Sequence, residues 1–231
     1  MKKKIWVTRS EPGGKILSTE LQKTGYLVKN IPVIGVNAIE FDIPKAQPKL
    51  IILLSYHAAS LYVASKLGLG EKNIIHVAIG KSTASVLESN GYLPLVPFTE
   101  NSEGILALDV VNKLIKSDIV WLITGRRGLG LIEQKLSVAC TLLPLIVYER
   151  VSLSIEGIVP DEIGAIVVGS AQGLSGVNRF WKKNNGDLSV CLVVPSTRIE
   201  RKAIEMSFTR LINAESANPQ AIVRCLEGAT V

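Results

Sequence analysis

The chain has 231 residues, 47% hydrophobic and 20% charged, with a formal charge of +6. Its charges are dispersed and low-complexity tracts are absent, which excludes a disordered chain and allows one large core or two cores of roughly 100 residues each. The positive excess is local, with +5 held by residues 1–33, and aromatics make up only 5%, so a nucleic-acid surface with its basic, aromatic-studded stripe is disfavoured and an acidic small molecule is the expected partner.

Lys2 to Lys4 open the chain, but the apolar run behind them stops at Val7, too short for a secretory core region. They read as a solvated tail. A first strand is expected over 4–8, ending in Thr8, followed by a helix, Gly25 and a second strand over 27–33. The next strands fall at 50–54, followed by Ser55, and at 74–79, leading into Gly80, Lys81, Ser82 and Thr83. A strand over 93–96 and one over 119–124, ending in Thr124, come next. The series closes with strands at 143–148, 165–169 (then Ser170), 190–194 (then Pro195, Ser196 and Thr197) and 209–213. Helical periodicity fills the gaps. The apolar stretches fall well below the ~20 residues that span a bilayer, so a soluble, cytoplasmic protein is expected.

Most of these strands are continuous apolar runs without polar alternation, as when helices cover both faces of a parallel sheet. The fold class is therefore α/β, doubly wound. Ligands of such sheets bind beyond the carboxyl ends of the strands, where this sequence repeats a pattern. Thr8 and Thr124 are 116 residues apart, Ser55 and Ser170 115, and Ser82 and Ser196 114. The near-constant offset suggests two similar domains, each with three hydroxyl-bearing strand ends. Serine and threonine are also preferred helix N-caps, and the two roles are compatible, because a helix N-terminus attracts anions. The repeat leaves the domain boundary open between tandem halves split near residue 118 and a middle domain inserted into an outer one.

Cys140, Cys191 and Cys225 are far apart and lack close metal-ligand partners, so they read as packing residues, with no metal site. His57 and His76, the only histidines, read as structural.

Taken together, these segments resemble the uroporphyrinogen-III synthase family. The resemblance runs through Val7-Thr8-Arg9, Gly25 and Pro32, and then the strand-Ser-x-x-Ala element Leu53-Leu54-Ser55-Tyr56-His57-Ala58. It continues through Val77-Ala78-Ile79-Gly80-Lys81-Ser82-Thr83-Ala84, Gly91, Pro94, Pro97 and Ser102-Glu103-Gly104-Ile105-Leu106. Gly125 and Gly128, Val147-Tyr148-Glu149-Arg150, Ser170, Pro195-Ser196-Thr197 and Ala214 complete the order. In one departure, Leu129 stands where the family usually places an arginine after the second glycine of its Gly-x-x-Gly-Arg element; Arg126 and Arg127 are the cations at hand.

The resemblance implies two flavodoxin-like parallel-sheet domains of similar topology, linked by two crossovers around a central cleft. An outer domain would join residues 1–33 and 150–231, and a middle domain would span 34–149. It implies an enzyme without a cofactor, acting on hydroxymethylbilane, a linear tetrapyrrole with eight carboxylates, and working as a monomer. Hydrogen bonds to the carboxylates would come from Thr8, Ser55, Ser82, Thr83, Ser170, Ser196, Thr197 and the backbone at Gly125, with Arg9, Lys81 and Arg126 adding charge. It singles out Tyr148 to assist the leaving hydroxyl, a task that suits a phenol protonated at neutral pH. Two other readings stay open from the residues themselves: a two-domain protein that binds an anionic metabolite without converting it, and an inactive paralogue that keeps the fold.

Overall fold

A computed structural model describes residues 3–66, 74–126 and 130–228. The chain divides into two compact units, Met1–Gly35 with Val151–Val231, and Val36–Arg150. Each holds a five-stranded sheet whose pairings are parallel, except at one edge of the second, where the Ile39 N–H bonds the Val147 carbonyl and the Leu153 N–H the Val33 carbonyl in the antiparallel sense.

The first unit contains β1 (Lys4–Val7), α1 (Gly13–Lys23), β2 (Val28–Asn30), β8 (Ile163–Val167), α7 (Ala171–Lys183), β9 (Cys191–Val194), α8 (Thr197–Glu205), β10 (Leu211–Asn213) and α9 (Pro219–Glu227). The sheet order is β10-β9-β8-β1-β2, with Ile5 opposite Val28 and Ala165, Ala165 opposite Cys191, and Leu192 opposite Leu211. Side chains alternate along each strand. Ile5, Val7, Ala165, Val167, Cys191 and Val193 therefore meet Leu17 and Leu21 of α1 and Ile222 and Leu226 of α9. Trp6, Ile166, Leu192 and Val194 point the other way, to Leu174, Val177 and Trp181 of α7 and Ile199 and Ala203 of α8. Two covered faces explain why these strands carry no polar alternation.

The second unit contains β3 (Ile34–Ala38, its first two residues shared with the first unit), β4 (Leu50–Leu53), α2 (Tyr56–Ala64), β5 (Ile75–Ala78), α3 (Lys81–Glu88), α4 (Ser102–Leu106), α5 (Asp109–Asn112), β6 (Ile119–Gly125), α6 (Leu131–Ala139) and most of β7 (Thr141–Ser152). Its order is β3-β7-β6-β4-β5. Ile51, Leu53, Trp121 and Ile123 pack on α2 and α3 through Ala58, Ala59, Tyr62, Ala84 and Leu87. Leu50, Ile52, Val120 and Leu122 pack on the opposite face against Ile105, Val111, Ile132 and Leu136. Each fully buried aliphatic side chain contributes about 1.5–3 kcal/mol.

Three departures from the sequence reading have simple causes. Residues 93–96 form a single bridge, Leu95 to Val77, instead of a strand, because Pro94 and Pro97 have no N–H to extend a ladder. Residues Ile34–Ala38, where no strand is expected, form the edge strand β3. Its sequence Ile-Gly-Val-Asn-Ala is only partly buried and lacks the apolar run that marked the central strands. The strand expected over 143–148 is twelve residues long.

His76 on β5 is 6% exposed. Its Nε2 lies 2.9 Å from the Tyr62 hydroxyl and its ring centroid 4.8 Å from that of Tyr92. Burial pushes its pKa below the ordinary 6.5, against a smaller upward pull from a backbone hydrogen bond at Ile74. The imidazole is thus held neutral in the folded chain and must give up that environment to become charged. Its contribution is complete above the unfolded value and is lost as pH falls below it. Urea unfolding of the native chain between about pH 7.5 and 5 should show stability falling on the acid side. His76→Phe should flatten that slope, whatever it does to stability at neutral pH; an unchanged slope would remove His76 as its source.

Candidate functional site

In the first sheet β1 lies between β2 and β8, so the chain runs outward in both directions from β1. Renumbered within the unit the order is 2-1-3-4-5, and loops that diverge at such a reversal open a crevice past the carboxyl ends of the strands. The loops there are Thr8–Ser10 and Val168–Ser170. Thr8 is buried, and its hydroxyl donates to the Val167 carbonyl at 2.9 Å, so its hydrogen is committed to the neighbouring strand. The Arg9 side chain lies against Gly169, where an added Cβ would stand 3.1 Å from Cγ, and its Nη1 donates to the Ala217 carbonyl at 2.7 Å. Burial lowers its pKa from the usual guanidinium value. Ser170 caps α7, accepting the Gly173 N–H at 3.0 Å, and is otherwise exposed.

Ser196 sits at the N-cap of α8 without a side-chain capping bond. Thr197 beside it accepts from Asn213 Nδ2 at 3.3 Å.

In the second sheet the same reversal falls between β4 and β6, with β3 filling the edge position that β10 holds in the first. Ser55 follows β4 and caps α2: its Oγ accepts the Ala58 N–H at 3.1 Å and lies 3.0 Å from the Tyr148 hydroxyl, so one hydrogen is shared between the two oxygens. Tyr148 comes from β7, two strands away. A register shift after Thr124 sets Gly125 opposite Tyr148, and the Arg126 N–H donates to the Tyr148 carbonyl at 2.7 Å. The ring lies so close over Gly125 that a Cβ there would come within 3.0 Å of its Cε2 and Cζ. Tyr148 is 3% exposed and Ser55 half-buried, which makes Ser55 the more accessible member of the pair. Arg126 Nε lies 3.4 Å from Glu149 Oε2, an exposed pair worth at most about 1 kcal/mol.

His57, in the first turn of α2, stands edge-on to Tyr148 with ring centroids 5.7 Å apart. Arg150 brings its guanidinium 5.9 Å from the centroid of the same ring. Burial, and then the Arg150 charge, hold the His57 imidazole below its ordinary pKa. Sequence reading passed over both residues as site candidates. The available signals were the position of His57 in the turn right after Ser55, and that of Arg150 two residues beyond Tyr148 on one face of a strand.

At α3 the helix N-terminus already holds an internal carboxylate: the Lys81 N–H donates to Glu100 Oε2 at 3.0 Å. Lys81 and Ser82 are exposed, whereas Thr83 is buried toward the core. The structure thus gathers Ser55, Gly125, Arg126 and Tyr148 into one cluster. Thr8, Arg9 and Ser170 sit at the reversal of the other sheet, while Lys81–Thr83 and Ser196–Thr197 sit at separate helix starts. Arg127, Gly128 and Leu129 lie outside the described residues. Among the described residues no group of His, Cys, Asp and Glu could hold a metal ion, and no helix is long and apolar enough to cross a membrane.

The chain is similar in fold to uroporphyrinogen-III synthetase from Helicobacter pylori, with a TM-score of 0.61 at 11% identity over 98% of this chain and 99% of that one. It is also similar to a mutant uroporphyrinogen III synthase from Thermus thermophilus, with a TM-score of 0.55 at 14% identity over 97% and 96% of the two chains. Identities this low speak for the fold alone. No curated protein matches the sequence. The model of one family, described as uroporphyrinogen-III synthase HemD, matches residues 15–224. A match over nearly the whole chain means that the chain belongs to the uroporphyrinogen-III synthase family.

Proposed function

We propose that this chain is a uroporphyrinogen-III synthase, a lyase of tetrapyrrole biosynthesis that closes hydroxymethylbilane into uroporphyrinogen III with inversion of the terminal pyrrole and loss of water. The observation that carries this reading is the Tyr148 hydroxyl held on Ser55 at the strand-order reversal, at the N-terminus of a capped helix.

The substrate supplies most of the reactivity, because loss of its terminal hydroxyl leaves an electrophilic azafulvene without an organic cofactor or metal. What the protein must add is a proton for the departing oxygen and a fixed conformation for the chain. The paired hydroxyls can supply the first. The Tyr148 proton passes to Ser55 Oγ while the Ser55 proton passes to the leaving oxygen, so water departs and a phenolate is left. Inversion requires that the already substituted α-carbon of the terminal pyrrole attack the azafulvene first. That carbon's older bond to the bridging methylene then breaks, the methylene re-bonds at the free α-carbon of the same pyrrole, and the proton lost there restores the phenol. The N-terminal end of α2 favours the negative charge while it exists. Backbone N–H groups and Arg126 are the groups of the second unit suited to hold carboxylates. We place the enzyme in the cytoplasm as a monomer.

Turnover separates this reading from a protein that only binds. With hydroxymethylbilane in large excess over the chain, consumption should run far ahead of spontaneous closure until the substrate is gone. Acceleration that stops after one equivalent would leave a binding protein.

A further inference from the structure

Beside the Ser55–Tyr148 pair stands a cation that has no acidic partner among the described residues. Tyr148 and Arg150 are two apart on β7 and share one face of the strand. The Arg150 guanidinium lies 5.9 Å from the phenol centroid and is exposed. Among the described residues, the other arginines at the two reversals each have a protein partner: Arg9 donates to the Ala217 carbonyl and Arg126 lies in a weak, exposed pair with Glu149. Among the described residues no carboxylate stands within ion-pair distance of Arg150, so its planar fork of donors is available to one from outside. His57 reaches the same ring from α2. Burial and the Arg150 charge favour its neutral imidazole, which offers a ring N–H without repelling the guanidinium. Tyr56 stands edge-on to His57 on its own helix, with centroids 5.7 Å apart, and adds no charge that would cancel the pair.

We propose that Arg150, with His57 beside it, forms a subsite for one side-chain carboxylate of the pyrrole whose hydroxyl leaves. The inference rests on the function proposed above and adds a substrate contact that none of the repeated strand-end hydroxyls supplies. A bidentate grip fixes both the position and the plane of a carboxylate. The pyrrole that bears it would then present its hydroxymethyl carbon to the Ser55–Tyr148 pair in a set orientation.

The test uses the full chain and the variants Arg150→Gln and Arg150→Lys. Steady-state kinetics on hydroxymethylbilane are measured with equilibrium binding of uroporphyrin III, an octacarboxylate that cannot react. Arg150→Gln should raise both KM and the Kd for uroporphyrin by about tenfold or more and lower kcat by about tenfold, as the reacting pyrrole loses its set orientation. Arg150→Lys should recover only part of the loss, since a point charge replaces a fork. Thermal melting should not move, because the side chain is exposed. The subsite is overturned if Arg150→Gln leaves KM and Kd near native values, if kcat alone falls, or if the native chain does not bind uroporphyrin. A native chain that makes no type III ring, yet binds uroporphyrin through Arg150, would sink the enzymatic reading and leave the anion subsite standing.

Discussion

Gly125→Ala should lower kcat by about a hundredfold while the chain still folds. The methyl group would come within 3.0 Å of Cε2 and Cζ of the Tyr148 ring, closer than a real Cβ approaches such atoms. The backbone cannot yield easily. Gly125 is buried at the end of β6, and the next residue donates its N–H to the Tyr148 carbonyl. The ring therefore has to tilt, which carries its hydroxyl away from Ser55. Overpacking of this kind costs about 1–3 kcal/mol of stability, which a chain of this size survives. A displacement of about 1 Å at a reacting group is enough for the loss in rate. The checks are a thermal melt and the rate of hydroxymethylbilane consumption. Native turnover in a folded Gly125→Ala chain would show that the seat of Tyr148 does not matter to the chemistry.

Tyr148→Phe isolates the hydroxyl from the ring. The phenyl group keeps its packing over Gly125 and against His57, and Ser55 keeps its capping bond from the Ala58 N–H. The loss of one half-buried hydrogen bond costs about 0.5–1.5 kcal/mol of stability. The rate should suffer far more, with kcat down about 10²-fold or further, the usual contribution of a positioned proton donor. KM should change little, because the phenol acts on the bond that breaks and binds few of the carboxylates. Unchanged kcat would remove Tyr148 from the mechanism. A rise in KM at constant kcat would make it a binding residue.

Much of the architecture was legible from the chain because central parallel strands need two apolar faces, which leaves unbroken runs such as Leu50–Leu53 and Cys191–Val194. The edge strand β3 was not, since an exposed edge asks only for an extended backbone and Ile-Gly-Val-Asn-Ala carries no such run. Candidate polar positions could be picked out at strand ends because hydroxyl residues suit helix N-caps. Which of those hydroxyls keeps a shared hydrogen could not. Thr8 and Ser55 look alike in sequence, yet Thr8 is tied to Val167 and Ser55 faces a phenol 93 residues away. The placement of His57 beside Tyr148 depends on β6 lying between β4 and β7, a strand order that no local pattern encodes. Arg9 shows the opposite limit. Its motif is conspicuous, but the structure lays its side chain on Gly169 and gives one nitrogen to a carbonyl, leaving it less free than Arg150.

The most direct measurement is the isomer composition of the ring made from freshly prepared hydroxymethylbilane. Products are collected early, before spontaneous closure contributes, then oxidised and resolved chromatographically. The account predicts type III as the dominant isomer from the native chain. Type I alone, at the rate seen without protein, would contradict it.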